Sequence, residues 1–179
     1  MSITLDYTTI DPVAVVAFHK MQADAGILLR KHDWWAEPLN ITRNAKSKKV
    51  VGSTRIFLGS YTTNEGRWVK VTEDEDYLLA CTDSKVIVKQ LEVWSKQHAT
   101  SWLVEIGGDK IGRIEGGIAS QEVQEFVSGL CAASKLPESV VPELLRKFES
   151  RRDPEPPSQQ HNQPTKQRAW WQFWVRNEA

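Results

Sequence analysis

Residues 101–131, SWLVEIGGDKIGRIEGGIASQEVQEFVSGLC, contain the pattern that decides the predicted fold. Two apolar runs, residues 101–106 and 110–114, flank Gly107-Gly108-Asp109, which predicts a hairpin because glycine permits the positive φ angles of tight turns. Ser120 then begins a predicted helix. The apolar positions of this helix recur at helical spacing: Val123, Phe126, Val127, Leu130 and Cys131. A hairpin followed by a helix favours an antiparallel sheet over strand-helix-strand units.

The sequence before residue 101 predicts further strands and two long helices. Residues 2–9 alternate between apolar and polar side chains, as in a half-buried strand. Asp11-Pro12 begins a predicted helix that runs to about Arg30, because Asp caps helices and Pro is tolerated in the first turn. Residues 50–58 and 68–71 predict a second hairpin, joined through Asn64-Glu65-Gly66. The loop between that helix and this hairpin holds two features considered below.

A capping box predicts the start of the next helix. Thr72 and Glu75 have the spacing in which the two side chains and backbone amides bond reciprocally. We expect this helix to be interrupted near Thr82-Asp83-Ser84 and to resume toward His98. A last helix is predicted over residues 139–150.

These elements predict an α+β fold for residues 1–150, as a single globular domain. We expect an antiparallel or mixed sheet of about five strands, with three to four helices packed mainly on one face, plus a C-terminal tail. The composition, 40% hydrophobic and 26% charged, is typical of globular proteins. Cys81 and Cys131 lie in apolar, helical contexts and are predicted to be free structural thiols.

The C-terminal tail is the most unusual part of the chain. Residues 151–167 hold four prolines and no large apolar residue, which predicts an extended tether. Residues 168–176, RAWWQFWVR, carry three of the eight tryptophans. Drawn as a helix, this peptide clusters its aromatic side chains on one side and places Gln172 opposite. Such a peptide suits docking in a groove.

We therefore predict a partner-binding peptide at the end of the chain. Its binding residues are Arg168, Trp170, Trp171, Phe173, Trp174 and Arg176. Three destinations are open: another protein, the peptide's own domain or a second copy in a homo-oligomer, and a membrane surface. The membrane is the weakest of the three, because one aromatic turn with two arginines anchors poorly without lipidation.

Trp34-Trp35 and a basic run at residues 43–49 lie between the first helix and the second hairpin. The tryptophan pair predicts either a lid on the core or a secondary recognition surface on which the tail aromatics could stack. The basic run could meet phosphate, but it lacks interleaved aromatic residues and the formal net charge of the chain is zero. Nucleic-acid binding is not expected.

Catalytic, metal and cofactor sites are not predicted. The four histidines are isolated, and none is spaced with another His or with a Cys as metal ligands are. Glu105 and Glu115 flank the hairpin of residues 101–114 and could face each other across it. Consecutive acids at residues 73–76 are more simply helix-capping residues than a metal site.

The leading hypothesis is a non-catalytic protein-interaction protein, in an adaptor, accessory or toxin-neutralising role. The N-terminus shows no secretory signal and no span of about 20 apolar residues occurs, so we expect a cytoplasmic protein. One alternative is a small hydrolase or nuclease that uses dispersed carboxylates. Another is peripheral membrane association through the tail.

Overall fold

The strands of the protein form one large antiparallel sheet and one small one. The computed structural model describes residues 3–62 and 66–149. The strands are β1 (Thr4–Thr9), β2 (Thr42–Arg43), β3 (Val50–Arg55), β4 (Ser60–Thr62), β5 (Trp68–Lys70), β6 (Trp102–Ile106), β7 (Asp109–Glu115) and β8 (Ile118–Ala119). The helices are α1 (Val15–Lys31), α2 (Glu73–His98), α3 (Gln121–Ala133) and α4 (Val141–Glu149), with a 3-10 turn over Glu138–Val140 before α4. The predicted α+β class is confirmed.

The large sheet has the strand order β2-β3-β1-β6-β7-β8, and all its pairs are antiparallel. The central strand β1 alternates as predicted: Leu5, Tyr7 and Thr9 are buried, whereas Asp6 and Thr8 are half-buried on the other face. The sheet therefore has one face in the core and one face open to solvent.

The helices pack on the buried face of the sheet, and α2 is their common neighbour. Trp94 of α2 is fully buried against Trp102 of β6, with ring centroids 6.0 Å apart. Its indole Nε1 donates to Asp24 of α1 at 2.9 Å. Helices α3 and α4 both contact α2 as well. The predicted helix packing on one face matches this arrangement.

The capping box at the start of α2 is confirmed. The Glu75 amide donates to Thr72 Oγ1 at 3.3 Å, and the Thr72 amide donates to Glu75 Oε2 at 3.2 Å. The predicted interruption of this helix is wrong, because α2 runs unbroken for 26 residues. Thr82 Oγ1 donates back to the Leu78 carbonyl at 3.0 Å, and Asp83 directs its carboxylate away from its own backbone to other segments. Polar side chains thus do not break the helix.

The predicted second hairpin differs from the observed pairing. The run of residues 50–58 does not continue into a return strand, because β3 pairs with β1 and β2. Gly59, at φ 68°, turns the chain after this run, and β4 pairs with β5 in a separate two-stranded sheet. Residues 63–65, which hold most of the predicted turn, lie outside the described residues.

The prediction of two free thiols is wrong. Cys81 of α2 and Cys131 of α3 form a disulfide, with Cα atoms 5.3 Å apart and a sequence separation of 50. The apolar contexts were interpreted correctly as helical, but the packing of α2 against α3 is what brings the two sulfur atoms together. Disulfides are typical of oxidising compartments and of redox-responsive proteins elsewhere.

Candidate functional site

The predicted docking peptide, residues 168–176, and the tether before it lie outside the described residues. The predicted binding residues Arg168, Trp170, Trp171, Phe173, Trp174 and Arg176 therefore stay a prediction. The described residues nevertheless define the surfaces on which such a peptide, or a partner, could bind.

Trp34 and Trp35 lie in the core, each 4% exposed, rather than on a recognition surface. The Trp34 ring meets His32 edge-on, with centroids 4.6 Å apart. The Trp35 ring packs on Phe148 of α4 at 4.7 Å. Of the two interpretations of this pair, the low exposure of both side chains favours a lid on the core.

Asp76 is a buried carboxylate that joins three segments of the fold. Its Oδ1 accepts from Trp35 Nε1 at 2.7 Å and from the Leu58 amide at 2.9 Å, and its Oδ2 accepts from the Gly59 amide at 2.7 Å. The residue is 7% exposed. These bonds fix the turn after β3 against the first turn of α2.

Asp83 makes a similar junction two turns further along α2, on the same face of the helix. Its Oδ1 accepts from His32 Nε2 at 2.9 Å, and its Oδ2 accepts from the amides of Trp35 and Ala36. Burial raises the pKa of Asp83 above its ordinary value, although the bonds from His32 and from the two amides oppose that rise. The pair binds the end of α1 to the middle of α2, so its evident role is to hold the fold.

The carboxylates Glu105 and Glu115 do not face each other. Glu105 of β6 lies opposite Lys110, and Glu115 lies opposite Ile118 of β8. A register shift between Val104 and Glu105 contributes to this placement. The interpretation of these two acids as a carboxylate pair is wrong, because strand register, not position along the hairpin, sets which side chains meet.

A cavity of approximately 490 Å³ opens beside the first turn of α2, and we call it the aromatic cavity. Phe57 and Tyr77 line it and meet edge-on, with centroids 5.2 Å apart. The other lining residues are Ile3, Arg55, Leu58, Gly59, Ser60, Glu73 and Asp76. The carboxylates of Glu73 and Asp76 thus border an apolar, aromatic depression.

The Arg55 side chain at the edge of the aromatic cavity has an acidic neighbour. Its Nε lies 3.6 Å from Glu37 Oε1, and its amide donates to Glu37 Oε2 at 3.1 Å. Because this cation is paired, the charge that the cavity presents to a ligand is negative.

A second cavity, of approximately 610 Å³, lies on the open face of the large sheet, and we call it the open-face cavity. Leu103 and Ile111 supply apolar lining, and three cations surround them: Lys49, Lys110 and Arg113. Glu122 also lines it, and a hydrogen bond from Ser120 lowers the pKa of this exposed carboxyl. The two cavities therefore differ in charge, since cations outnumber acids in this one.

Cys81, Cys131 and Glu138 place one potential metal-ligand atom each within a short distance of one another. The two sulfur atoms are bonded to each other. Glu138 forms an ion pair with Lys85. In this state the cluster offers no thiolate to a metal ion.

Sequence reasoning missed the aromatic cavity. Glu73 and Asp76 belong to the acidic run that was interpreted as a helix cap, and the cap is real. The contact between Phe57 and Tyr77 could not be predicted from the sequence, because residues 20 apart meet only after the segment that follows β3 has packed against α2. An exposed aromatic residue was also missed: Trp68 of β5 is 67% exposed.

The chain matches no protein-family model, and neither a curated protein nor a solved structure was found to be similar to it. Within residues 3–62 and 66–149, no helix combines the length and the apolar character needed to cross a bilayer.

Proposed function

We propose that this chain is a non-catalytic protein-interaction protein, in an adaptor or accessory role, whose peptide 168–176 docks on a partner. The observation that carries the proposal is compositional: three of the eight tryptophans lie in this peptide, after a polar segment with four prolines. The described residues 3–62 and 66–149 form the sheets and helices and contain two clusters of buried apolar residues. Large aromatic side chains are the ones that bind partners most strongly.

The buried acidic groups support the same proposal. Asp76 and Asp83 each accept hydrogen bonds from several segments. Glu75 accepts from Lys147 Nζ at 2.7 Å in addition to its capping bond. These carboxylates stabilise the fold, and His32, which Asp83 holds, borders neither cavity. A binding role uses the features that remain: two cavities of ligand size and an aromatic peptide.

Affinity capture with matched baits tests the proposal. We would compare the full chain, a Trp170→Ala/Trp174→Ala variant, and a Gln172→Ala variant as the control on the opposite side of the peptide. The control should recover the same proteins as the full chain, whereas the tryptophan variant should lose most of them.

Thermal unfolding of the same baits completes the test. The Gln172→Ala control should melt at the same temperature as the full chain, and the tryptophan variant should melt no more than about 6 °C lower, because a weakly docked peptide stabilises the fold by only about 1.4 kcal/mol. Equal recovery of the same proteins by all three baits would refute the role assigned to the peptide. A large loss of melting temperature in the tryptophan variant would show instead that the peptide is part of the core.

A further inference from the structure

We propose that residues 168–176 dock in the aromatic cavity of their own chain when no partner is bound, so that a partner must compete with this cavity for the peptide. The inference rests on the proposed function, because it takes the same peptide as the binding element. It adds the site that binds the peptide when no partner is present, and the chemistry of that site.

Helix α4, the last described element, contacts sequence neighbours of residues that line this cavity. Phe148, near the end of α4, meets Tyr61 of β4 with ring centroids 5.6 Å apart, and Tyr61 follows Ser60 of the cavity lining. Lys147 Nζ lies 2.7 Å from Glu75 Oε1, in the same first turn of α2 as Glu73 of the lining. The last described helix therefore contacts residues that lie one or two positions from the cavity lining in sequence.

The segment between α4 and the aromatic peptide is long enough to return to the cavity. Residues 150–169 span at most about 66 Å when fully extended. A short tether of this kind gives a local concentration on the order of 1 mM. A peptide that bound in isolation with a dissociation constant of about 0.1 mM would thus be docked about nine-tenths of the time.

The cavity and the peptide match in both apolar surface and charge. Phe57 and Tyr77 are half-buried and offer aromatic surface to tryptophan rings. Glu73 and Asp76 border this surface, whereas the peptide begins at Arg168 and ends at Arg176. Opposite charges at the edge of an apolar contact fix its orientation.

Charge also selects between the two cavities. The lining of the open-face cavity holds Lys49, Lys110 and Arg113 against one acid, Glu122. Arg113 is paired with Glu115 at 4.0 Å, so the two lysines leave an excess of positive charge that would repel the arginines flanking the peptide. The acidic aromatic cavity lacks this repulsion.

Hydrogen–deuterium exchange of the full chain, followed by mass spectrometry, tests this inference. Exchange in residues 170–175 should be about tenfold slower than in a free peptide of the same sequence, because the docked fraction is protected. The slowing should be the same at low and high protein concentration, and light scattering should find a monomer.

Two pairs of variants locate the contact. Glu73→Lys should reduce the protection about threefold, because it turns an attraction into a repulsion. The control, Glu122→Lys, makes the same reversal in the first turn of α3, at the open-face cavity, and should leave the protection unchanged. Trp171→Ala should abolish the protection, whereas Gln172→Ala should retain it.

Each other outcome overturns the inference. An unprotected peptide in the full chain would mean that the cavity does not hold it. Protection that Glu122→Lys removes and Glu73→Lys spares would place the peptide in the open-face cavity. Protection that grows with concentration, together with a dimer, would make a second copy of the chain the occupant.

The failure of this inference differs from the failure of the proposed function. If residues 170–175 of the full chain are unprotected from exchange when no partner is present, but still capture partners through the tryptophans, only the docking in the same chain is overturned. A protected peptide with no tryptophan-dependent partner overturns the proposed function and leaves the docking intact.

Discussion

Replacing Asp76 with asparagine should destabilise the protein by about 3 kcal/mol. The carboxylate accepts three hydrogen bonds, two on Oδ1 and one on Oδ2, and it is 7% exposed. Asparagine keeps one acceptor oxygen but turns an N–H group toward a donor on the other side. Loss of one charge-assisted bond costs roughly 1.5 to 3 kcal/mol, and the two remaining bonds weaken with the loss of charge.

Asp74→Asn is the matched control. Asp74 lies in the same first turn of α2, so both variants remove one negative charge from the helix N-terminus, at a cost of about 0.3 to 1 kcal/mol. Its carboxylate accepts one exposed bond, from the Lys135 amide at 3.1 Å, which the asparagine oxygen can still accept. The control should therefore lose less than about 1 kcal/mol.

Urea unfolding followed by far-ultraviolet circular dichroism measures the difference. With a slope of about 2 kcal/mol per molar urea, an excess loss of about 2 kcal/mol moves the midpoint by about 1 M. Equal midpoints for the two variants would refute the reasoning, because the buried bonds of Asp76 would then contribute no more than an exposed one.

Three further predictions concern charge, covalent linkage and backbone packing. Burial alone would raise the pKa of Glu75, but hydrogen bonds from its lysine partner on α4 and from the helix N-cap outweigh burial and lower it. Glu75 therefore stabilises the protein at pH values above its unfolded-state pKa, and this contribution is lost as the pH falls through its folded-state pKa. In the Glu75→Gln variant the free energy of unfolding should therefore depend less on pH below about pH 4.5. Reduction of the Cys81–Cys131 disulfide, which closes a loop of 50 residues, should lower the free energy of unfolding by about 4 kcal/mol, and a melting temperature indifferent to reductant would contradict this. Gly52→Ala should cost on the order of 3 kcal/mol, since its Cβ would overlap a tyrosine ring and a backbone carbonyl, whereas Gly129→Ala, in open space on α3, should be neutral or stabilising in the same unfolding assay.

Close neighbours in sequence carried most of the correct predictions. The alternation of β1, the capping box of Thr72 and Glu75, the turn at Gly107-Gly108 and the apolar stripe of α3 each depend on residues only a few positions apart. Local backbone geometry and side-chain periodicity act over that range. The α+β class followed from the order of these elements.

Long-range packing decided the features that the sequence left open or predicted wrongly. β3 pairs with β1 rather than returning on itself, and Asp83 sits within a continuous helix because its carboxylate bonds His32 and the Trp35 amide. The partner of Cys81 lies 50 residues away. None of these contacts can be inferred from a periodic pattern in the sequence, because each depends on which faces of the helices and strands meet after these elements have formed.

The proposed docking peptide and the aromatic cavity show the same division between what sequence reveals and what tertiary structure decides. The aromatic peptide 168–176 could be identified from composition alone, because three tryptophans after a polar, proline-rich segment are unusual whatever the fold. The aromatic cavity was not, because it exists only where the end of β3 packs against the first turn of α2 and brings Phe57 to Tyr77. Sequence by itself determined the position and composition of the peptide that we propose as a binding element, and only tertiary structure created the acidic aromatic surface on which we propose that it docks.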